Sequence, residues 1–216
     1  ALSSAASDVY KRQAVLILAL LSPFLGALAD YKGMKKRMFA VFLVLGVVGL
    51  LALSFSGNWV AYLVFFIFSR LCYSACNIFY DSMLVDVTED DRMDRVSSYG
   101  YALGYIGSCI PFVIGILLIL FTPFGLSTMQ ATQISFVITA VWWAVLTIPL
   151  LKNVQQTHYL ARRSNQVRHA FSRVGQTLKK IRQQPTILYF IIAYFCYIDG
   201  VYTICLLYTS PSPRDR

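Results

Sequence analysis

Long charge-poor apolar blocks fill most of this chain, and they leave few choices of fold. They cover residues 14–29, 38–55, 59–80, 96–121, 133–151 and 185–204. A run of about 18 such residues can cross the hydrocarbon core of a bilayer as one helix. In lipid every backbone N–H and C=O must find a partner inside the segment, so the blocks are helical. Alternation at strand period is absent from them. The expected fold class is an all-α membrane protein, a helical bundle of about six transmembrane helices, the first cut short at its start.

Composition matters here through its distribution. The chain is 57% hydrophobic and 13% charged, against the usual quarter charged. A net charge of +9 would suit a nucleic-acid binder. The cations, however, sit in the connections between apolar blocks, so the bilayer accounts for them and nucleic acid is excluded as a partner. The first, third and fifth connections carry lysine and arginine, while the second (56–58) and fourth (122–132) carry none. By the positive-inside rule the first, third and fifth face the cytoplasm. Cys72, Cys76, Cys109 and Cys196 lie inside apolar runs with no CxxC pair, which supports neither a disulfide framework nor a zinc site. No Ser–His–acid set, metal cluster or phosphate-cradling glycine loop is present, so the chain is expected to be no enzyme and to carry no cofactor or metal.

The two ends stand apart. Residues 8–13 can be encoded by GATGTGTATAAGAGACAG and residues 205–210 by TGTCTCTTATACACATCT. These are reverse complements over nearly their whole length. Residues 1–13 and 205–216 are therefore expected to be adapter-derived, which their codons would show, and are set aside from fold reasoning. The remainder divides into 14–151, a first bundle, 152–184, a cytoplasmic linker, and 185–204, the first helix of a second bundle.

The first connection reads Gly26-Ala-Leu-Ala-Asp-Tyr-Lys-Gly-Met-Lys-Lys-Arg37. Gly26 lets helices approach closely. Asp30 is placed to interact with the N-terminus of a following helix, where unpaired N–H groups favour negative charge. Gly33 supplies a turn. The spacing of Gly26, Asp30, Gly33, Lys35 and Lys36 resembles the loop between the second and third helices of major facilitator transporters, with departures at Tyr31 and Met34. In the third connection, Thr88 with Asp91 reads as a helix cap. Arg92 and Arg95 are placed to meet Asp30 or the helix ends. With the first connection they form a candidate gating network.

The block 59–80 carries a polar stripe, Arg70, Ser74, Asn77 and Asp81, at spacings of four, three and four. Arg70 stands eleven residues from Trp59, about 16 Å along a helix. Charges at such depth mark transport pathways. Gly100, Gly104, Gly107, Pro111 and Gly115 share one face of the fourth block and are expected to pack helices. In the linker, Val167, Phe171, Val174, Leu178 and Ile181 recur at helical spacing among cations, a basic amphipathic helix suited to a membrane surface.

Asp199, Gly200, Thr203 and Ile204 in the last block, with residues 79–81 and 96–105, resemble the vacuole-effluxer-like branch of the major facilitator superfamily. The resemblance covers nearly all of 14–204. It implies that the six blocks are family helices two to seven, in a major-facilitator-type bundle of which this is part. It also implies a secondary transporter working by alternating access, with substrate held between two bundles near the midplane. The branch is linked to amino-acid export from vacuoles, so the expected partners are the bilayer and a small organic solute, an amino acid among the candidates, with proton coupling open. Arg70, Ser74, Asn77 and Asp199 would line the substrate path. The plasma (inner) membrane is expected rather than the vacuole. A non-transporting scaffold or channel subunit is the alternative.

The charge pattern predicts sidedness. Cysteines introduced at Ser56 or Ser127 should be labelled by an impermeant reagent from outside, and one at Ser164 only after permeabilisation. The opposite pattern would reverse the orientation.

Overall fold

The computed structural model describes residues 18, 20–161 and 166–209. The expected adapter residues 1–13 and 210–216 lie outside these, while 205–209 continue the last helix. The chain divides into two compact units, Ala1–Val167 and Arg168–Arg216.

In the first unit α1 (Leu20–Ala29) leads to α2 (Met34–Ser54) and α3 (Trp59–Ser82). A short α4 (Leu84–Val87) and a 3-10 turn (Asp90–Arg92) precede α5 (Met93–Phe121). A second 3-10 turn (Pro123–Gly125) precedes α6 (Thr128–Asn153). The second unit holds α8 (Pro185–Thr209) and nearly all of α7 (Gln166–Gln183). No strand occurs among the described residues. Four helices, α2, α3, Asp90–Phe121 and α6, are long and apolar enough to cross a membrane. Leu20–Ala29 is the described part of the first expected span, and α8 contains the last.

α3 and α6 start at side-chain caps, and α2 starts at a glycine turn. Gly33, at φ 72°, turns the chain in the left-handed region and α2 begins at the next residue. Lys35, Lys36 and Arg37 therefore form the first turns of α2 rather than a loop before it. The apolar pattern missed this because helical hydrogen bonding does not stop at the edge of the hydrocarbon. Asn58 caps α3 by accepting from the Val60 N–H at 3.2 Å. Ser127 and Gln130 cap α6 reciprocally. Thr122, at φ 36°, ends α5 in the left-handed region, and Pro123 forbids continuation. The expected cap at Thr88 is not formed. Thr88 is extended, and the 3-10 turn begins only after Glu89, without a side-chain cap.

α2 lies along α3 and against α6, and α5 packs on α6. Lipid is as apolar as a leucine side chain, so close packing and hydrogen bonds must hold membrane helices together. Gly46 shows how. A methyl group there would stand 2.6 Å from Trp143 Cη2 and 3.1 Å from Cys72 Cβ. The bare backbone at Gly46 also accepts a hydrogen bond from Ser69 Oγ at 3.0 Å. A methyl group at Gly49 would stand 3.0 Å from Phe68 Cδ1. The core gathers Ala29, Phe39, Leu43, Ala75, Cys76, Phe79 and Met83, with Leu150, Leu151 and Val154 against it. These come from the start of α2 and the ends of α1, α3 and α6, so the core lies toward the end assigned to the cytoplasm. Elsewhere large apolar side chains such as Val44, Val48, Phe112 and Leu120 point outward, as lipid-facing residues do.

Gly46→Ala should lower the melting temperature of the detergent-solubilised protein, at a cost of about 1–3 kcal/mol for overpacking. Gly104→Ala, where nothing lies within 4 Å of the new methyl, should not. Equal melting of Gly46→Ala and wild type would show that Trp143 is not held against Gly46.

Candidate functional site

The first and third connections meet at one buried ion pair. The Lys35 ammonium donates to Asp86 Oδ2 at 2.7 Å and to the Ser82 carbonyl at 2.9 Å. Their side chains are 4% and 0% exposed. Lys35 arrives in the first turn of α2, and Asp86 is presented by α4, the short helix that follows α3. The other carboxylate oxygen, Oδ1, accepts from the Thr157 N–H at 3.0 Å, the His158 N–H at 2.9 Å and the Thr157 hydroxyl at 3.0 Å. His158 Nδ1 lies 3.5 Å from the same oxygen. Burial alone would raise the Asp86 pKa. The hydrogen bonds from Lys35 and the His158 N–H, the Lys35 charge and the Thr157 hydroxyl outweigh it and hold the carboxyl below its ordinary value.

The residues after α6 are strapped across the first connection. Gln156 Oε1 accepts from the Gly33 N–H at 2.9 Å, and its Nε2 donates to the Ala29 carbonyl at 3.2 Å. The Leu160 N–H donates to the Asp30 carbonyl at 2.8 Å, and the Lys32 N–H donates to the Leu160 carbonyl at 3.1 Å. These two bonds flank Tyr31, which forms a parallel bridge with Leu160 and is itself buried. The Lys32 ammonium sits 5.1 Å from the centre of the Tyr159 ring, within cation–π range. One segment of five residues thus touches the turn, the start of α2 and Asp86.

The expected gating residues fall into two groups. Asp30, Gly33, Lys35 and Lys36 lie in or beside this junction, whereas a methyl at Gly26 would meet nothing within 4 Å, so the expected close helix approach there is not seen among the described residues. Gly26 accepts the Asp30 N–H at 3.2 Å, and Lys36 lines a shallow cleft with Lys32, Arg37 and Tyr159. Arg92 lines an open cleft beside the junction with Asp86, Thr157 and His158, and Arg95 lines another with Asp94 and Tyr99. Arg92 is 3.7 Å from Asp91 on the surface, and Arg95 stacks 5.6 Å from the Tyr99 ring centre. The acid that engages the loop's cation is Asp86. It stood in the sequence between Val85 and Val87, and an acid flanked by apolar residues is the signal that marks it. Gln156, Thr157 and His158 carried no such signal, because they act through backbone groups, a hydroxyl and a neutral amide.

On α3, Ser69, Cys72, Ala75, Cys76 and Phe79 are buried. Arg70 and Asn77 are exposed on another face, with Ser74 half-buried. The Arg70 guanidinium lies 5.9 Å from the Tyr73 ring centre. Asp81 accepts from the Tyr101 hydroxyl at 3.0 Å. That contact lies beside an apolar cavity of about 350 Å³ between Tyr80, Leu84, Val96, Gly100 and Leu150. Of the proposed packing residues, Pro111 and Gly115 are buried, Gly115 against Ser135. Gly107 accepts from Trp142 Nε1 at 3.1 Å, and Gly100 faces the Tyr80 hydroxyl. Gly104 faces outward. Asp199 falls on α8 in the second unit, and its side chain lies outside the described residues. Among the described residues no group of His, Cys, Asp and Glu is placed to hold a metal.

A family model described as "Vacuole effluxer Atg22 like" matches residues 13–94 and 84–210. The chain is 46% identical over 199 residues to a Bacillus subtilis protein named "Uncharacterized MFS-type transporter YxiO". That match covers 90% of this chain and 46% of the relative. Autophagy-related protein 22 of Yarrowia lipolytica is 28% identical over 131 residues, covering 51% of this chain and 22% of that protein. The Cryptococcus neoformans protein of the same name is 31% identical over 124 residues, covering 54% and 22%. The chain thus spans about half the length of the bacterial relative and about a fifth of the fungal ones. No solved structure matches it.

The buried pair has a definite cost when broken. Asp86→Ala leaves the Lys35 ammonium buried without its partner and should destabilise by about 3–5 kcal/mol, with the Lys35→Met/Asp86→Ala double variant losing less than the sum. Because the Asp86 pKa is lowered on folding, its contribution is complete above the ordinary carboxylate range and is lost as pH falls through the lowered value. The melting-temperature gap between wild type and Asp86→Asn should therefore narrow on acidification below about pH 4. A gap independent of pH would mean that Asp86 is not ionised in the folded protein.

Proposed function

The chain belongs to the vacuole effluxer Atg22-like family of the major facilitator superfamily, and on that premise we propose that it is part of a secondary active carrier. The carrier is multi-pass in the membrane and moves a small organic solute by alternating access. The observation that supports this most is Arg70. A guanidinium stands about 16 Å along a membrane-crossing helix, exposed and apart from the buried residues that pack α3. A charge at that depth is costly against lipid and tolerable beside a watery cavity or an anionic ligand. Ser74 and Asn77 continue the polar stripe toward the cytoplasm.

Asp199 supplies the opposite sign. It stands fourteen residues past Pro185, about 21 Å along its helix. A solute carboxylate, such as that of an amino acid, would suit Arg70, and a solute cation would suit an acid such as Asp199. Alternatively Asp199 carries a coupling proton. The relatives' printed names support transport and, for the family, vacuolar efflux. The relative at 46% identity is bacterial, which favours the plasma membrane for this chain. The Lys35–Asp86 junction, with its strap, would hold the cytoplasmic side shut in part of the cycle, with Gly26, Asp30, Gly33 and Lys36 shaping the turn that moves.

The test uses the full-length carrier in proteoliposomes. Preloaded substrate should accelerate uptake, an exchange that a channel or scaffold does not show. Arg70→Ala and Asp199→Asn should each abolish this counterflow while leaving inserted protein at wild-type abundance. Normal counterflow in either variant would make that residue structural and move the substrate site elsewhere.

A further inference from the structure

We propose that α7 is a docking surface for the anionic headgroups of the cytoplasmic leaflet. The helix runs from Gln166 to Gln183 and carries Arg168, Arg173, Lys179, Lys180 and Arg182 with no acid. At about 100° per residue, Val167, Phe171, Val174, Leu178 and Ile181 fall within an arc of roughly 80°. Arg168, Lys179 and Arg182 border one edge of this arc, and Arg173 and Lys180 lie beyond the other. Cations on both flanks of an apolar stripe can reach headgroups while the stripe enters the acyl boundary.

Three observations make the bilayer the occupant. The first is exposure: of the five stripe residues Val167 and Leu178 are 57% and 62% exposed, and Val174 and Ile181 are half-buried. The second is tethering. Only Gln184 separates α7 from the apolar α8, and the turn is tight, with the Gln184 N–H donating to the Ile181 carbonyl at 3.1 Å. The C-terminal end of α7 is therefore held at the membrane boundary by the chain itself. The third is charge. Five cations without an acid complement a negative leaflet, each adding about fivefold to partitioning near the surface. A helix of this length with Gly175 inside it is marginal in water, so a surface that covers its stripe also stabilises it.

Hydrogen exchange of the whole chain in nanodiscs tests this without altering the sequence. Exchange of the amides over 167–183 should be roughly tenfold or more slower in discs with about one-third phosphatidylglycerol than in discs of phosphatidylcholine alone. About 0.5 M salt should reduce the difference, since screening shortens the reach of the charges. The Lys179→Gln/Lys180→Gln/Arg182→Gln variant should lose most of it. Equal exchange in both lipid compositions would overturn the proposal, whether fast, as for a solvated helix, or slow, as for one docked on protein. Slowing by a short duplex DNA in phosphatidylcholine discs, with none from phosphatidylglycerol, would overturn it in favour of nucleic acid. Retention of the lipid difference by the triple variant would overturn the electrostatic basis.

Discussion

A lysine and a carboxylate withdrawn from water tie one end of the first unit together. Burying two charges costs several kcal/mol each, and their attraction compensates only when the remaining donors and acceptors are also satisfied. Here they are. Lys35 has the Ser82 carbonyl besides Asp86, and Asp86 has two backbone N–H groups and a hydroxyl besides Lys35. Asp86 is 51 residues from Lys35 and 71 from Thr157, so the pair joins segments that nothing local would bring together. Removing any one of them leaves the others with unmet polar groups. The strap after α6 is thus as much a part of this junction as the two charges.

The rest of the unit is arranged around that end. The apolar core sits beside the junction, between the start of α2 and the ends of α1, α3 and α6. Farther along, contact depends on absent side chains: Gly46 and Gly49 admit Trp143 and Phe68 against bare backbone. The hydroxyl of Ser69 adds a hydrogen bond in the same crossing. A bilayer offers no hydrophobic drive between helices, so such contacts and polar bonds must hold them. α5 is different, since only Pro111 and Gly115 along it are buried. Its outward face is apolar, which lipid tolerates.

The fold was legible in the sequence because lipid removes alternatives. Blocks such as 38–55 and 96–121 could be nothing but helices once water was excluded. Gly33 was readable as a turn because only glycine adopts φ 72° without strain. The ends of helices were less legible, as the placement of Lys35 inside α2 shows, since hydrogen bonding and hydropathy end at different residues. In the candidate junction, Lys35 could be named but its partner could not. Arg92 and Arg95 were the expected bridging groups on charge alone, and charge alone does not say which side chains are exposed. Gln156 and Thr157 were invisible, because a neutral amide and a backbone N–H leave no pattern. Gly46 was passed over for the regular glycines of α5, where periodicity drew attention that contact geometry does not support at Gly104.

The two cations Lys35 and Arg70 obey one rule and resolve it in opposite ways. Lys35 is enclosed by protein groups, its side chain 4% exposed, and its charge is spent on holding the junction. Arg70 lies in the open against an aromatic ring, on a helix whose other face is already packed. An aromatic face attracts a cation but does not neutralise it. Whatever completes Arg70 must then be polar or anionic: water, a substrate carboxylate, or residues of the roughly half of the bacterial relative's length that this chain does not span. That asymmetry fits the proposed carrier. A charge closed by its own unit stabilises one arrangement, whereas a charge left open on the helix can take different partners as the arrangement changes. The strap belongs to the first behaviour, because the segment that caps Asp86 is also bonded to the first connection. A movement that separates α2 from α4 must break the Lys35–Asp86 pair, and the segment bonded to both sides must give up either its bonds to Asp86 or its bonds to Ala29, Asp30, Lys32 and Gly33.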